Sequence, residues 1–105
     1  MELLPTEVAR TLPDFDRDPE GEPYAFIKFF TPDSSWTWYA SEFDGNDLFY
    51  GLVDGVELEY GYFRLSELEE TRGPWGLPIE RDLWFDPRPM AELYEELSER
   101  RREYA

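Results

Sequence analysis

The stretch between Lys28 and Arg64 constrains this chain most, because it combines two compositions that rarely occur together. It contains seven acidic residues and no basic residue, and it is also dense in Trp, Tyr and Phe. An acidic run by itself is typical of disorder, whereas aromatics at this density are typical of a packed core. Together they predict a folded sheet with a strongly negative surface.

The length and charge of the chain limit both its architecture and its partners. We expect 105 residues to form a single domain spanning residues 1–105. The formal net charge of -15 repels nucleic acid and anionic membrane surfaces, and it attracts basic proteins. We therefore expect a basic protein surface as partner, with no direct binding to nucleic acid or membrane. The sequence does not predict an oligomeric state.

Several classes of chemistry are excluded by residue types that the chain lacks. Without Cys there is no disulfide, thiolate zinc site or cysteine nucleophile, and without His there is no Ser-His catalytic pair. We expect no cofactor, no metal and no catalytic residue. The first ten residues do not have the pattern of a signal peptide, and no apolar run reaches the roughly 20 residues that span a bilayer. These features predict a cytoplasmic protein.

The order of apolar patterns and turn signals predicts an α+β fold. A four-stranded antiparallel meander is expected, followed by an extended Pro-rich strap over residues 75–89. Short helices are expected over residues 5–12 and after the fourth strand, where Ser66 is a candidate N-cap with Glu69 completing a capping box. A final helix is expected from about Met90 to Arg102. The predicted strands cover residues 24–30, 36–43, 48–53 and 56–65.

The dipeptide Asp54-Gly55 predicts a two-residue type I′ turn between the last two strands. Such a turn fixes the register and assigns each side chain to one face of the sheet. We expect the first face to lie on the core and the second to face solvent or a partner. The expected pairs are Val53 with Val56, Gly51 with Leu58 and Phe49 with Tyr60 on the first face, and Leu52 with Glu57 and Tyr50 with Glu59 on the second.

Three motifs in this order resemble the small proteins of domain-of-unknown-function family 2958. They are FFTPDSSWTWY from Phe29, FYGLV from Phe49 leading into GYFRLSELE from Gly61, and RGPWGLPIERDL from Arg72. The resemblance covers about residues 4–93. It implies a setting in plasmids, phages and integrated elements, and it supplies no catalytic residue. Arg64 departs from the family pattern, in which a Ser is expected.

We interpret the chain first as a non-enzymatic interaction module of a mobile element that binds through its acidic, aromatic-rich sheet. Alternating carboxylates can imitate the spacing of phosphates and compete for a groove that binds nucleic acid, which is a route open to inhibitors of host defence. The candidate partner-binding residues are Asp47, Tyr50, Asp54, Glu57 and Glu59.

The alternative interpretation is a small-ligand-binding protein or an enzyme built on the segment from Arg72 to Asp82. Its two glycines allow close backbone approach, and Arg72 and Arg81 have the geometry to hold an anion, with Glu80 lining the same pocket. A rigid structural strap, with Arg81 paired to a local acid, is the competing explanation and the favoured one.

Two acidic clusters invite a metal-binding interpretation that the spacing does not support. Asp14, Asp16 and Asp18 alternate like the start of a calcium loop, but Pro19 occupies the position where that loop requires Gly. Glu42, Asp44 and Asp47 lie near a predicted turn, whose chemistry accounts for Asp residues without a metal.

Overall fold

A computed structural model describes residues 1–15 and 22–103 of the chain. The fold is α+β, with a mostly antiparallel sheet and three helices in the described part, as the sequence predicts. The calcium-like alternation extends to Asp16 and Asp18, which lie outside the described residues. The elements in chain order are α1 (Thr6–Ala9), β1 (Tyr24–Ala25), β2 (Ile27–Phe30), β3 (Thr37–Phe43), β4 (Leu48–Asp54), β5 (Leu58–Arg64), α2 (Leu65–Glu70), β6 (Glu80–Arg81), β7 (Arg88–Pro89) and α3 (Met90–Glu103).

The main sheet has five strands in the order β5-β4-β3-β2-β6, so the predicted count of four was wrong. The additional strand, β6, belongs to the Pro-rich segment and pairs antiparallel with β2. The same segment contributes β7, which pairs with β1 in a separate two-stranded sheet. Strands of two residues leave no periodic pattern in a sequence, because alternation needs several positions to be recognised.

The turn between β4 and β5 is one residue longer than predicted. Asp54 pairs with Leu58, which leaves Gly55, Val56 and Glu57 in the turn. The predicted register was therefore wrong, and Phe49 faces Phe63 where Tyr60 was expected. Packing explains the difference, because Phe63 is 7% exposed whereas Tyr60 is 44% exposed.

The second face is covered by α3 around Leu52, so the expectation that this whole face is open to solvent or a partner was wrong. The first face carries Phe29, Trp38, Phe49 and Phe63 and packs with residues of the N-terminal segment and α2. On the second face, Leu52 is 0% exposed and lies among apolar residues of α3. The apolar run of β4 is the pattern of a strand buried on both sides. The α3 residues of this cluster are Met90, Leu93 and Leu97.

Arg101 fastens α3 to the turn between β4 and β5. Its Nε donates a hydrogen bond of 2.9 Å to Asp54 Oδ1, and its Nη1 donates one of 3.1 Å to the carbonyl of Val56. Its Nη2 donates to Asp54 Oδ1 and to the carbonyl of Gly55. A single side chain of the last helix thus donates hydrogen bonds to two carbonyls of the three-residue turn and to the carboxylate that precedes it.

Replacing Arg101 with alanine is expected to lower the free energy of unfolding by about 2 kcal/mol, because several charge-assisted hydrogen bonds to half-buried acceptors are lost. Arg100→Ala is the matched control, since the Arg100 guanidinium is mostly exposed and meets Glu96 only at 4.0 Å. We expect the control to change stability by less than about 0.5 kcal/mol. Urea denaturation of both variants measures the difference. Equal effects of the two substitutions would show that Arg101 does not fasten the helix to the turn.

The cap of α2 comes from Asp47, far from the helix in sequence. Asp47 Oδ1 accepts a bond of 2.8 Å from the backbone N–H of Ser66, and its Oδ2 accepts one of 2.7 Å from the Ser66 hydroxyl. Ser66 is the second residue of the helix, and Arg64 occupies the N-cap position without a side-chain bond. The predicted Ser66 capping box was therefore wrong. A carboxylate at the helix start is electrostatically favourable, and here the fold supplies it.

Candidate functional site

The five residues predicted to bind a partner do not form one surface. Asp47 lies at one end of β4, where it caps α2 and its Oδ2 is 3.8 Å from Arg64 Nη1. Asp54 lies at the other end, about 20 Å away along the strand, and is bound by Arg101. Both carboxylates therefore have structural partners within the chain.

The other three predicted residues are divided between the two faces and the turn. Tyr50 is half-buried on the second face, where its ring meets that of Tyr62. Glu59 pairs with Val53 and so points to the first face, because directly paired residues share a face. Glu57 is exposed in the turn. Their predicted role in binding stays a prediction, but they do not lie together in a single patch.

The segment from Arg72 to Pro78 forms a tight loop that closes on Asp33. A bridge between Arg72 and Pro78 closes the loop, and the N–H of Gly73 donates to the carbonyl of Leu77 at 2.9 Å. Asp33 Oδ2 accepts hydrogen bonds from the backbone N–H groups of Trp75 at 2.8 Å and Leu77 at 3.3 Å. We call residues 72–78 the strap loop. Its conformation is set by a carboxylate some forty residues earlier in the chain.

Glycine is required at two positions of the strap loop for different reasons. A Cβ at Gly73 would overlap the Asp33 carboxylate, so only glycine lets the loop approach this acid. Gly76 has φ +83, a conformation that other L residues rarely adopt. The two glycines thus serve the loop's own geometry, which favours the structural explanation of this segment.

The strap loop presents Trp75 to solvent, and the turn after β6 presents Trp84 in the same way. Trp75 is 84% exposed and Trp84 is 91% exposed. The backbone N–H of Trp84 donates a bond of 2.9 Å to Asp82 Oδ1, just as that of Trp75 donates to Asp33. Each exposed indole therefore lies on a turn that is stabilised by hydrogen bonds to an aspartate. We call Trp75 and Trp84 the exposed tryptophan pair.

An open groove of about 400 Å³ lies between the strap loop and the start of β3. Trp36, Trp38 and Arg72 are among its lining residues. Arg72 Nη1 donates to the carbonyls of Glu69 and Thr71, so this guanidinium is partly engaged in closing α2. The remaining lining residues are Thr31, Ser34, Thr71, Gly73 and Pro74.

Glu80 and Arg81 do not line this groove with Arg72. They form β6 at the sheet edge, where Arg81 pairs with Phe29 and Glu80 with Phe30. Arg81 Nη1 is buried without a hydrogen-bond partner among the described residues, and Arg81 forms no ion pair with them. The three residues of the predicted ligand pocket are thus not brought together. The expected ion pair of Arg81 with a local acid does not form among the described residues, where Asp82 instead lies 3.9 Å from Lys28.

Two carboxyl groups near the turn between β3 and β4 have shifted pKa values of opposite sign. Burial raises the pKa of Glu42, and the nearby Asp14 raises it further. Hydrogen bonds from the N–H groups of Asn46, Leu48 and Asp47 lower the pKa of Asp44. Because these three N–H groups all donate to Asp44 Oδ1, turn chemistry accounts for Asp44. Within residues 1–15 and 22–103 no group of three potential metal ligands comes together.

These shifts predict a stability maximum in the mildly acidic range. The pKa of Glu42 is higher in the folded state than in the unfolded state, so stability rises as pH falls through the raised value. The pKa of Asp44 is lower in the folded state, so stability falls again as pH drops below its ordinary value of 3.8. Urea denaturation across pH 7 to 3 measures the curve. Glu42→Gln should remove the rise, and Asp44→Asn should weaken the fall at low pH. A rise that persists unchanged in Glu42→Gln would contradict the assignment.

Sequence reasoning missed the exposed tryptophan pair, although a signal was present. Trp75 stands between Pro74 and Gly76, both of which favour turns, and a turn tip cannot bury a large side chain. Trp84 follows Asp82 and Leu83 and is not flanked by Pro or Gly. Its exposure depends on the pairing of β6, which the sequence did not predict.

Comparisons with known proteins identify the family and go no further. No helix among the described residues is long and apolar enough to cross a membrane. Searches of curated proteins and of solved structures find no match to this chain. The family described as "Protein of unknown function (DUF2958)" matches residues 3–103, nearly the whole chain. The chain is therefore a member of the DUF2958 family, as its three motifs predict.

Proposed function

We propose that this protein is a non-enzymatic interaction module that binds a basic surface of another protein. The observation that carries the proposal is the exposed tryptophan pair on a strongly acidic molecule. Trp75 and Trp84 stand almost fully in solvent on turns that hydrogen bonds hold in shape. Exposed tryptophans are common energetic centres of protein interfaces, and preformed turns lower the entropy cost of binding.

Charge identifies the chemistry of the partner. Among the described residues, the carboxylates in ion pairs are Asp47, Asp54, Asp82, Glu92 and Glu96, a small share of the acids in that part of the chain. The uncompensated charge attracts a cationic partner and speeds the encounter. Tryptophan is also the best aromatic partner for Arg and Lys in cation–π contacts. Both features favour a partner rich in Arg and Lys.

The more specific form of the proposal is competition with nucleic acid. Proteins that bind DNA or RNA have basic surfaces, so an acidic module can occupy them in place of the nucleic acid. In a mobile element, such a module would act as an inhibitor of host defence. This part rests on the charge and on the sequence resemblance alone.

Ligand binding in the groove beside the strap loop is the second candidate. A volume of about 400 Å³ and the presence of Arg72 favour a small anionic ligand. The positions of Glu80 and Arg81 outside the groove weigh against it. Stabilisation of the wild-type protein by a small organic anion, abolished in Arg72→Ala, would support this candidate over the first.

The test of the interaction module uses the intact protein immobilised in host lysate at low and high salt. We expect captured proteins to be basic, to elute as salt rises, and to be displaced by added DNA. The double variant Trp75→Ala/Trp84→Ala should capture at least about tenfold less, since loss of each central aromatic costs about 1–2 kcal/mol.

Val56→Ala is the matched control for this experiment, because Val56 is also highly exposed but lies in the turn between β4 and β5. We expect it to capture as the wild type does. Capture that is insensitive to salt, or confined to acidic proteins, would contradict the proposal. Unchanged capture by the double variant would remove the tryptophans from the interface.

A further inference from the structure

The two edges of the main sheet differ in how they are protected against pairing with another chain. At one edge, β6 has only two residues and is too short to serve as a template. At the other edge, β5 has seven residues, and β4 is its strand partner. Natural proteins usually protect such an edge with Pro, charged side chains (above all Lys), a bulge or a covering element.

Among the described residues, the protection of β5 is limited to the charged Glu59 and Arg64 near its ends and to the Phe15 ring, which meets that of Tyr62. The strand contains neither Pro nor Lys, and the irregularity of the sheet lies in β3, between Ala40 and Glu42. No residue of β5 makes a backbone hydrogen bond to any described segment other than β4. A Cβ at Gly61 would meet no atom within 4 Å, so no described residue packs on the first face at the middle of the strand. We call residues 58–64 the free edge.

We propose that the free edge pairs with an extended basic segment of the partner protein, which adds a sixth strand to the sheet. Strand addition obtains its affinity from backbone hydrogen bonds and its specificity from alternate side chains. The basic charge of the partner is taken from the proposed function. The mode of binding is inferred independently from the backbone of β5.

The side chains along the free edge define the segment that fits it. Glu57 and Glu59 are exposed at the turn end, so cationic residues are favoured opposite them. Tyr60 and Tyr62 project from the second face, where Tyr60 stacks on Tyr94 of α3 and Tyr62 meets Phe15. Both rings remain partly exposed, which favours apolar or β-branched residues on that side. Arg64 ends the strand and disfavours a cation there. The fitting segment thus alternates basic with apolar residues and loses its basic character toward the Arg64 end.

A second copy of this chain is a poor occupant of the free edge. Two molecules that each carry a net charge of -15 repel each other. A basic segment of another protein is attracted instead.

The experiment measures amide hydrogen exchange along β5 by NMR in the whole protein. In the free protein, alternate amides of residues 58–64 point away from β4 and should exchange fast. The probe is a capped nine-residue peptide for antiparallel pairing, in which Thr alternates with Val over the first three positions, at the Arg64 end, and Lys alternates with Val over the last six. With the peptide at about ten times its dissociation constant, exchange at those amides should slow about tenfold, because only the unbound fraction exchanges.

Two control peptides separate strand pairing from charge attraction. One has the same charge but Pro in place of two central Val residues, and the other has Glu in place of Lys. Protection by the Lys-Val peptide, with neither control peptide protecting the amides, supports the proposal. Equal protection by the Pro peptide overturns strand pairing but leaves the preference for a basic partner intact. Protection by the Glu peptide to the same extent contradicts the basic partner, and with it the proposed function.

A variant of the protein tests the same edge. Either Tyr60 or Gly61 has a backbone N–H that points away from β4. The amide of the two that exchanges faster in the free protein identifies this residue. Tyr60→Pro or Gly61→Pro at that position should abolish protection by the probe, while circular dichroism shows an unchanged fold. Outward amides that are already protected in the free protein, or a dimer in light scattering, would overturn the proposal, because the edge would then be occupied. Absence of any protection by the Lys-Val peptide would also overturn it.

Discussion

Replacing Gly51 with alanine is expected to lower the free energy of unfolding by about 3–5 kcal/mol, a large share of the stability of a small domain. Gly51 lies in the middle of β4, and a Cβ there would overlap the backbone carbonyl of Tyr39 in the neighbouring strand. A backbone atom cannot turn away as the end of a side chain can. The two strands must therefore separate or β3 must lose its irregularity.

Gly61→Ala is the matched control, because Gly61 faces Gly51 directly across the β4–β5 pair. A Cβ at Gly61 meets no atom within 4 Å, so we expect a change of less than about 1 kcal/mol. Denaturation in urea, with the midpoint and slope compared for the two variants, measures the difference. Equal stabilities of Gly51→Ala and Gly61→Ala would contradict the close approach of β3 and β4 at this point.

Leu52→Ala is expected to cost about 2–5 kcal/mol, because its side chain is 0% exposed between the sheet and α3 and leaves a cavity when removed. The prediction tests the covered second face, where sequence reasoning expected solvent or a partner. Unfolding should be measured by both circular dichroism and Trp fluorescence, to confirm that the transition remains two-state.

Val56→Ala is the control for Leu52→Ala, since Val56 is also aliphatic but 83% exposed in the adjoining turn. We expect it to change stability by no more than about 0.5 kcal/mol. If Leu52→Ala behaved like Val56→Ala, α3 would not be packed on the second face. The candidate surface would then have to include that face again.

The elements that sequence reasoning located correctly are the long ones with a repeated pattern. The helix from Met90 shows apolar residues at helical spacing, and Leu93 and Leu97 are buried as that spacing predicts. β3 and β4 are long enough for their composition to identify them. The short pieces β6 and β7 carry no such pattern, and their pairing arises only because the Pro-rich segment returns along β2 and β1.

The candidate site was less accessible to sequence reasoning than the fold. Asp47 and Asp54 were expected to face a partner, yet Ser66 and Arg101 bind them within the chain. A formal charge count cannot show which carboxylates have hydrogen-bond or ion-pair partners within the chain. The partner of Asp47 lies 19 positions away in sequence, and that of Asp54 lies 47 positions away. Exposure of Trp84 likewise follows from where β6 ends.

The sequence alone determined the class of the fold, the family and the sign of the charge. Periodicity over seven or more residues, long local motifs and composition are properties of the chain itself, so they can be read without knowing any contact. The tertiary structure decided the register of the β4–β5 pair, the burial of the second face, the aspartates that hold the exposed tryptophan pair and the free edge of β5. Each of these depends on contacts between residues distant in sequence. The packing of Phe63 and the hydrogen bonds of Arg101 outweigh the local preference of Asp54-Gly55 for a two-residue turn.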